Sequence, residues 1–427
     1  VGRIYAINTV GCILGVVVAI HLLMPTFGVK WTVLAGAGLT LALAFMVIAR
    51  ARDGASRVGA PVGPLVAAVV VAVVAVAVHP DPRRMTSAVY RTGAVSIPAG
   101  SQVTYLRDGK TATISLVERD GMTVIATNGK PDAAIQTRPG PPADDEVTMI
   151  LAGALPLALH PEAKRIANIG IGSGLTSAVL LASPDVQELV SIEIEPFMVE
   201  AAARGYRPRT DRLFDDPRSR IVIEDAKTYF ASHPTRFDVI VSEPSNPWVS
   251  GVATLFSAEF YRQVRRYIAD DGLLVQWIQV YETDPTVVWS ILKALSPAFA
   301  DYQLYDVDDS NILVIASPAR RLGNPTDRIF HIARMQPELL RAGLRERQDL
   351  TGRRIGDKAL LDPYVQRLAV PVNSDYFPWV DQNAARFRFM NRNALPIVNL
   401  TTLPVPFLEL ARPDWTTVYA ASFSSVR

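Results

Sequence analysis

The sequence predicts an α/β fold, a mostly parallel sheet with helices on both faces. From residue 165 onward short apolar runs alternate with helix-forming runs, the signature of repeated βα units. The first run, RIANIGIGS, ends in glycines at alternate positions (Gly170, Gly172, Gly174) and passes at once into a helix-forming run over 175–182. The second run, 189–194, closes on acids, with Glu193 its last acidic residue and Glu195 just beyond it.

The elements follow in order. Strands are expected over 165–171, 189–194, 221–223, 237–242 and 273–280, with a closing pair over 302–305 and 312–316. Helices are expected over 147–159, 196–204, 226–232, 258–269 and 286–295. Together these make a domain spanning 146–318. Ahead of it, residues 87–136 alternate β-forming residues with Asp108-Gly109, Asp120-Gly121 and Asn128-Gly129, dipeptides that favour hairpin turns; this predicts a small antiparallel β domain. Residues 319–427 read as a C-terminal extension: 328–347 is basic and helical, 373–379 (NSDYFPW) is a loop, and the end is rich in proline.

Residues 1–80 carry three apolar runs, 4–24, 31–48 and 62–78, broken at Pro25, Gly28, Gly54 and Pro61. Each approaches the roughly 20 residues that cross a bilayer as a helix. Gly11 and Gly15 stand four apart, a spacing found where such helices pack. With only Arg3 near its start, the first run makes a poor signal peptide. The chain opens on Val1, and we expect these runs to end a longer, multi-pass membrane region. Arg50, Arg52 and Arg57 would keep the second loop in the cytoplasm, which sends the following domain outside; the ligand class argued below places that domain in the cytoplasm instead.

Composition excludes several classes. Forty-three Lys and Arg against 41 Asp and Glu leave a charge of +2, with no basic footprint for nucleic acid. Cys12 is the single cysteine, so there is no internal disulfide and no cysteine metal cluster. The five histidines (His21, His79, His160, His233, His331) fall at no metal-ligand spacing, and no metal is expected.

The glycine turn lets a ligand approach the backbone closely, and an acid at the end of the second strand suits the hydroxyls of a ribose. A dinucleotide fingerprint would place glycine where this chain has Leu175, so the alternating glycines fit a Rossmann-like fold of the class I methyltransferase type, which takes S-adenosylmethionine. Asp225, ahead of Ala226, ends the third strand and suits either an adenine amino group or the N-cap of the next helix. Glu243 ends the fourth strand before a loop stiffened by Pro244 and Pro247 and carrying Asn246 and Trp248. A carboxylate in such a partly desolvated place is a general-base candidate; a structural, paired glutamate is the alternative. On the next strand, alternation sets Gln276 on one face and Trp277, Gln279 and Tyr281 on the other, where aromatic rings either wall a pocket for a cationic amine or pack in the core.

In this order the motifs resemble the spermidine synthase family, the polyamine aminopropyltransferases, and more particularly the bacterial members fused to membrane spans. The likeness covers about 87–317, and the opening GRIYAINTVGCILG looks like the end of their membrane region. It implies a membrane-bound transferase that moves an aminopropyl group from decarboxylated S-adenosylmethionine to a small-molecule amine, releasing methylthioadenosine. It implies that Gly170, Gly172, Ser173, Gly174, Glu193, Asp225 and Ala226 hold the nucleoside and that Glu243 is the proton acceptor. Asn246 then stands where a second acid is usual, and Asn246, Trp248, Gln276, Trp277, Gln279 and Tyr281 face the amine substrate. Lipid is an expected partner, nucleic acid is not, and a homodimer is one assembly open to the chain. The family's anchors for the amine differ. Ser173 replaces an Asp, and Thr148, Met149 and Ile150 fall where a Tyr-His/Gln-Glu signature is usual. That departure keeps two alternatives open: a methyltransferase, lyase or cyclase using S-adenosylmethionine itself, and a non-catalytic membrane protein that senses a nucleoside.

Overall fold

The computed structural model describes residues 2–54 and 62–401. The chain forms two compact units, one of 1–132 with 195–201, the other of 133–194 with 202–427.

The first unit opens on helix Gly2–Val18, a π-helical turn at Ala19–Leu23, and helix Met24–Gly54, which departs from helical geometry at Gly28 (φ 79°). A left-handed residue there stops the hydrogen-bond ladder, and the freed Val29 N–H donates to Asp108 Oδ2 at 2.8 Å. Helix Val62–Ala77 follows and accepts Lys30 Nζ on its Ala75 carbonyl at 2.8 Å. By length and composition one helix, Gly2–Arg50, is long and apolar enough to cross a membrane; Val62–Ala77 is a shorter apolar helix. The expected break at Pro25 does not interrupt the helix; the break falls at Gly28. Arg57 and Pro61 lie outside the described residues.

Four strands then form an antiparallel meander: β1 (Gln102–Asp108), β2 (Thr113–Arg119), β3 (Met122–Thr127) and β4 (Lys130–Gln136). Asp120-Gly121 and Asn128-Gly129 both take positive φ at both residues, as a two-residue hairpin requires. Asp108-Gly109 instead opens a wider loop, in which Asp108 Oδ1 accepts the Thr113 hydroxyl at 2.6 Å. Glu195 packs so closely on Gly109 that any Cβ would lie 2.2 Å from its carboxylate, and Glu195 Oε2 accepts both the N–H and the hydroxyl of Thr111.

The second unit holds an eight-stranded sheet. Its strands are β5 (Arg165–Ile169), β6 (Glu188–Glu193), β7 (Ser219–Ile223), β8 (Phe237–Ser242), β9 (Ile268–Gln279), β10 (Asp301–Asp306), β11 (Asn311–Ser317) and β12 (Arg354–Asp357). Their order is β12-β10-β11-β9-β8-β5-β6-β7. The run from β7 to β9 is parallel; β11, β10 and β12 pair antiparallel. This is the Rossmann-like, methyltransferase-type α/β sheet. Ile166, Ala167, Val190, Val239, Ile240, Leu273 and Leu274 are at most 1% exposed, because helices cover both faces and leave no room for polar alternation.

Three features differ from expectation. The helix expected over 258–269 stops at Val264, and β9 begins at Ile268, pairing with Phe237 across a register shift. The basic stretch 328–347 is not one helix. It divides into a 3₁₀ turn, Arg328–His331, and the helix Gln336–Arg341, and Gly343 (φ 73°) turns the chain before Arg347–Thr351. Beyond it β12 extends the sheet. The following stretch packs into the same core through Val380, Ala384, Ala394, Ile397 and Val398. The NSDYFPW loop is latched there by Asn373, whose amide donates to the Ala253 and Phe256 carbonyls and accepts from Val380 N–H. The proline-rich end beyond 401 lies outside the described residues.

Candidate functional site

The parallel register lines up the strand ends. Ile169 lies opposite Ile192 and Ser242, Glu193 opposite Ile223, and Ser242 opposite Gln276. The residues that follow these positions therefore share one edge of the sheet, the carboxyl edge of its parallel strands.

The glycine turn sits at the centre of that edge. Gly170 has φ 89°, and a Cβ there would meet the Glu243 carbonyl at 2.6 Å, so neither the conformation nor the space admits another residue. Gly174 (φ 87°) is closed in by Leu213 Cδ2 at 2.6 Å. At Gly172 (φ 52°) the nearest atom to such a Cβ is 3.9 Å away, on Ala133, so the middle of the turn stays open to a ligand. Ser173 is fully buried; its hydroxyl lies 2.9 Å from Met149 Sδ and accepts from Leu175 N–H.

Glu193 is 7% exposed, and its Oε2 accepts the Ile171 N–H at 3.0 Å, so it clamps the turn from the neighbouring strand. Asp225 is exposed and caps helix Ala226–Ser232, its Oδ1 accepting Thr228 N–H at 2.9 Å and the Thr228 hydroxyl at 3.2 Å. Ala226 is buried beneath that cap.

Glu243 is half-buried at the end of β8. Its Oε2 accepts the Thr176 hydroxyl at 2.7 Å, and the same hydroxyl lies 3.2 Å from the Met149 carbonyl. Burial raises the Glu243 carboxyl from 4.5 to about 7, with the charge of Asp145 adding to the rise. Thr176 has one proton and two acceptors. A protonated Glu243 can donate to Thr176 Oγ1 while Thr176 donates to Met149 O, so the neutral acid is as well satisfied as the anion.

Beyond Glu243, Asn246 is fully buried; its Nδ2 donates to the Tyr281 hydroxyl at 3.2 Å while Oδ1 has no partner among the described residues. Trp277 Nε1 donates to Asn311 Oδ1 at 2.9 Å. Gln279 is 1% exposed, and neither of its amide atoms has a partner among the described residues. Gln276 takes the other face of β9, against the Tyr261 hydroxyl at 3.3 Å. Trp248 carries the Arg388 guanidinium 4.5 Å above its ring, so a cation of the protein itself occupies one face.

Four groups carry contacts that the sequence reading does not assign, Thr148 among them, although it stands there as a replaced anchor. Asp145 and Thr148 come from the first two turns of helix Asp144–Leu159. Thr148 donates to Asp308 Oδ2 at 3.4 Å, and Asp308 holds Asn311 Nδ2 through both oxygens at 3.0 and 3.1 Å. Arg388 is the fourth. The helix expected over 147–159 covers Thr148 but not Asp145, and no local signal shows the placement of the β10–β11 hairpin or of the C-terminal helix Trp379–Phe389. The helix bearing Asp145 is itself fixed by buried Glu146, which accepts Arg209 Nη1 at 2.7 Å and Arg341 Nε at 2.9 Å. Among the described residues no group of three or more His, Cys, Asp or Glu is placed to hold a metal.

Residues 147–307 match the spermine/spermidine synthase domain model. A polyamine aminopropyltransferase of Desulforudis audaxviator is 33% identical over 121 residues, covering 28% of this chain and 43% of that protein. One of Caldicellulosiruptor bescii is 29% identical over 174 residues, covering 41% and 61%. The chain thus spans less than two thirds of either relative. The crystal structure of spermidine synthase from Thermotoga maritima is similar at 25% identity and a TM-score of 0.43, covering 51% of this chain and 73% of that one. Residues 147–307 of the chain thus carry a domain similar to that of the spermine/spermidine synthases.

Proposed function

We propose that the α/β unit transfers an aminopropyl group from decarboxylated S-adenosylmethionine to a primary amine and releases methylthioadenosine. The observation that carries this reading is Glu243, an acid at the sheet edge raised to about 7, beside an open glycine turn. A primary amine has a pKa of about 10 and arrives protonated. Glu243 takes that proton, the freed lone pair forms the new C–N bond, and the C–S bond of the sulfonium breaks with its electrons going to sulfur. The secondary ammonium product keeps the charge, and Glu243 later returns its proton to solvent. Gly172 gives the nucleoside access to the backbone, Glu193 keeps the turn in shape, and Asp225 stands at the neighbouring strand end. Holding donor and acceptor in line supplies much of the remaining acceleration.

The test is product analysis with both donors. Methylthioadenosine from the decarboxylated sulfonium supports aminopropyl transfer. Adenosylhomocysteine from intact S-adenosylmethionine would replace it with a methyl-transfer reading, which the Ser173–Met149 contact favours, since a serine bound to a thioether stands where the family has an amine anchor.

We infer in addition that the N-terminal helices lie in lipid. Ile4, Ile7, Val10, Ile13 and Leu14 are 55–73% exposed on helix Gly2–Val18, a density of bare apolar surface that water does not tolerate on a folded chain. Retention in the membrane pellet after alkaline carbonate washing, lost on deletion of residues 1–80, is the expected result. Release of the intact chain into the supernatant would refute it.

A further inference from the structure

The loop that follows Glu243 is fastened at several points. Pro244 and Pro247 stiffen it, Val249 N–H donates to the Asn246 carbonyl at 2.9 Å, and the Asn246 amide donates to Tyr281 just beyond β9. The chain beyond residue 370 holds its far end: the Asn373 amide donates to the Ala253 and Phe256 carbonyls, and Ala258 N–H donates to the Asn373 carbonyl at 3.0 Å. Arg388 grips the middle. Its guanidinium lies 4.5 Å from the Trp248 ring and 5.1 Å from the Phe389 ring, and its Nε is 3.5 Å from Glu282 Oε2. The side chain is 7% exposed.

Packing alone would not select a cation there. Burying a guanidinium costs its hydration, and an apolar chain of similar length would fill the space at lower cost. A guanidinium adds orientation, because it is flat, stacks on aromatic faces and pairs with a carboxylate in fixed directions. Both groups it orients bear on Glu243. Trp248 ends the proline-stiffened part of the loop. Glu282 follows Tyr281, on which Asn246 rests, and keeps φ at 49°, a left-handed conformation that a side chain disfavours and that surrounding contacts must hold. Ala394 N–H donates to the Val280 carbonyl at 2.6 Å, so the chain leaving Arg388 is seated on the same strand end.

We propose that Arg388 is a positioning residue: through Trp248 and Glu282 it fixes the 244–251 loop against the end of β9 and so keeps water from Glu243. The assignment rests on the reading of Glu243 as the base in aminopropyl transfer. Its effect runs through the loop. The charge that acts on Glu243 is that of Asp145, on helix Asp144–Leu159, while the glycine turn and helix Leu175–Leu180, which supplies Thr176, bring no charged side chain. Burial is the largest cause of the raised carboxyl, so a loosened loop that admits water lets it fall back toward its ordinary value.

The full chain in detergent carries the test, with Arg388→Met, Arg388→Lys and Glu282→Gln compared with wild type. Methylthioadenosine release from decarboxylated S-adenosylmethionine and 1,4-diaminobutane is followed across about pH 5 to 9, alongside methylthioadenosine affinity and hydrogen exchange over 244–251. Arg388→Met should lower the plateau rate on the order of 30-fold, with nucleoside affinity unchanged. The midpoint of its pH profile should move below that of wild type, and exchange over 244–251 should quicken. Arg388→Lys keeps a cation between the rings and should restore most of the rate and the midpoint. Glu282→Gln removes the pairing at equal size, should move the same readouts less far, and decides the matter if Arg388→Met does not fold. An unmoved midpoint with unmoved exchange in the variants would overturn the proposal, as would a rate that falls only with nucleoside affinity and is not restored by lysine. A wild-type chain that forms no methylthioadenosine would sink the transfer reading. Quickened exchange in Arg388→Met would then still support the hold on the loop, and unchanged exchange would overturn it.

Discussion

Two stretches of the same sheet edge are built on opposite principles. Around β5, β6 and β7 the polar groups at the strand ends are satisfied from within, with Asn168 Oδ1 inside β5 the exception: Glu193 accepts Ile171 N–H, Asp225 accepts from Thr228, and Ser173 is engaged by Met149 and Leu175. Around β8, β9 and β11 they are not. Among the described residues Gln279, Asn246 and Ser242 each keep a buried polar atom without a partner, and Glu243 and Asp308 are carboxylates bonded only to neutral donors. The first stretch is a finished surface that a ligand lies against. The second is an unfinished one that a ligand completes, and unfinished polar sites are where binding energy can be spent on chemistry.

Substitutions can break or sharpen that contrast. Glu243→Gln should have the largest effect, a loss in turnover of about a thousandfold with methylthioadenosine affinity unchanged, read from product formation and calorimetry. The wild-type rate should climb with pH to a plateau, half-complete near 7, because the base must be ionised. Stability runs the other way. The folded value lies above the ordinary 4.5, so the ionised side chain costs nothing below that pH, costs progressively more up to about 7, and its full amount above. Glu243→Gln should therefore raise the melting temperature at pH 8 and leave it unchanged at pH 4. A mutant that is inactive and less stable at pH 8 would move Glu243 into the finished stretch.

Gly170→Ala comes next. Its methyl group would meet the Glu243 carbonyl at 2.6 Å in a left-handed backbone, and we expect about 3 kcal/mol of destabilisation by denaturant titration. Glu193→Ala strips the Ile171 N–H of its acceptor and should cost about 2 kcal/mol, with roughly tenfold weaker nucleoside binding. Asp225→Ala removes a helix cap and should cost about 1 kcal/mol. If nucleoside affinity also falls by tenfold or more, Asp225 binds as well as caps, and the β7 end is not finished after all.

The sequence made one stretch far more readable than the other. Glycine at 170, 172 and 174 and acids at 193, 225 and 243 are local signals, each adjacent in the chain to the strand that presents it. The same holds for the hairpins at Asp120-Gly121 and Asn128-Gly129, where two residues decide the turn. Asp108-Gly109 looked identical and opened instead, because Val29, Thr113 and the approach of Glu195 supply contacts that no short window contains. Asp308 and Arg388 were invisible for the same reason. Asp308 matters through Thr148, 160 positions away, and Arg388 through Trp248, and only the closed sheet brings these together. Alternation puts Trp277, Gln279 and Tyr281 on one face, and the aromatic rings read either as pocket wall or as core. What separates Trp277 from Gln279 is side-chain partnering: the Trp277 indole bonds Asn311, while the Gln279 amide has no partner among the described residues. Beyond residue 318, Gly343 and the edge strand β12 defeated the reading of a single basic helix, since strand pairing with β10 supplies order that local propensity does not.

The guanidinium of Arg388 over the Trp248 ring has a practical corollary for anyone wishing to graft this catalytic part onto another protein. The family-like stretch ends near 317, which invites a cut there, yet helix Trp379–Phe389 reaches back to the loop next to Glu243, and Val398 still belongs to the core. The smallest transplantable module therefore runs to at least Val398, and its modular boundary falls some eighty positions downstream of where homology would draw it.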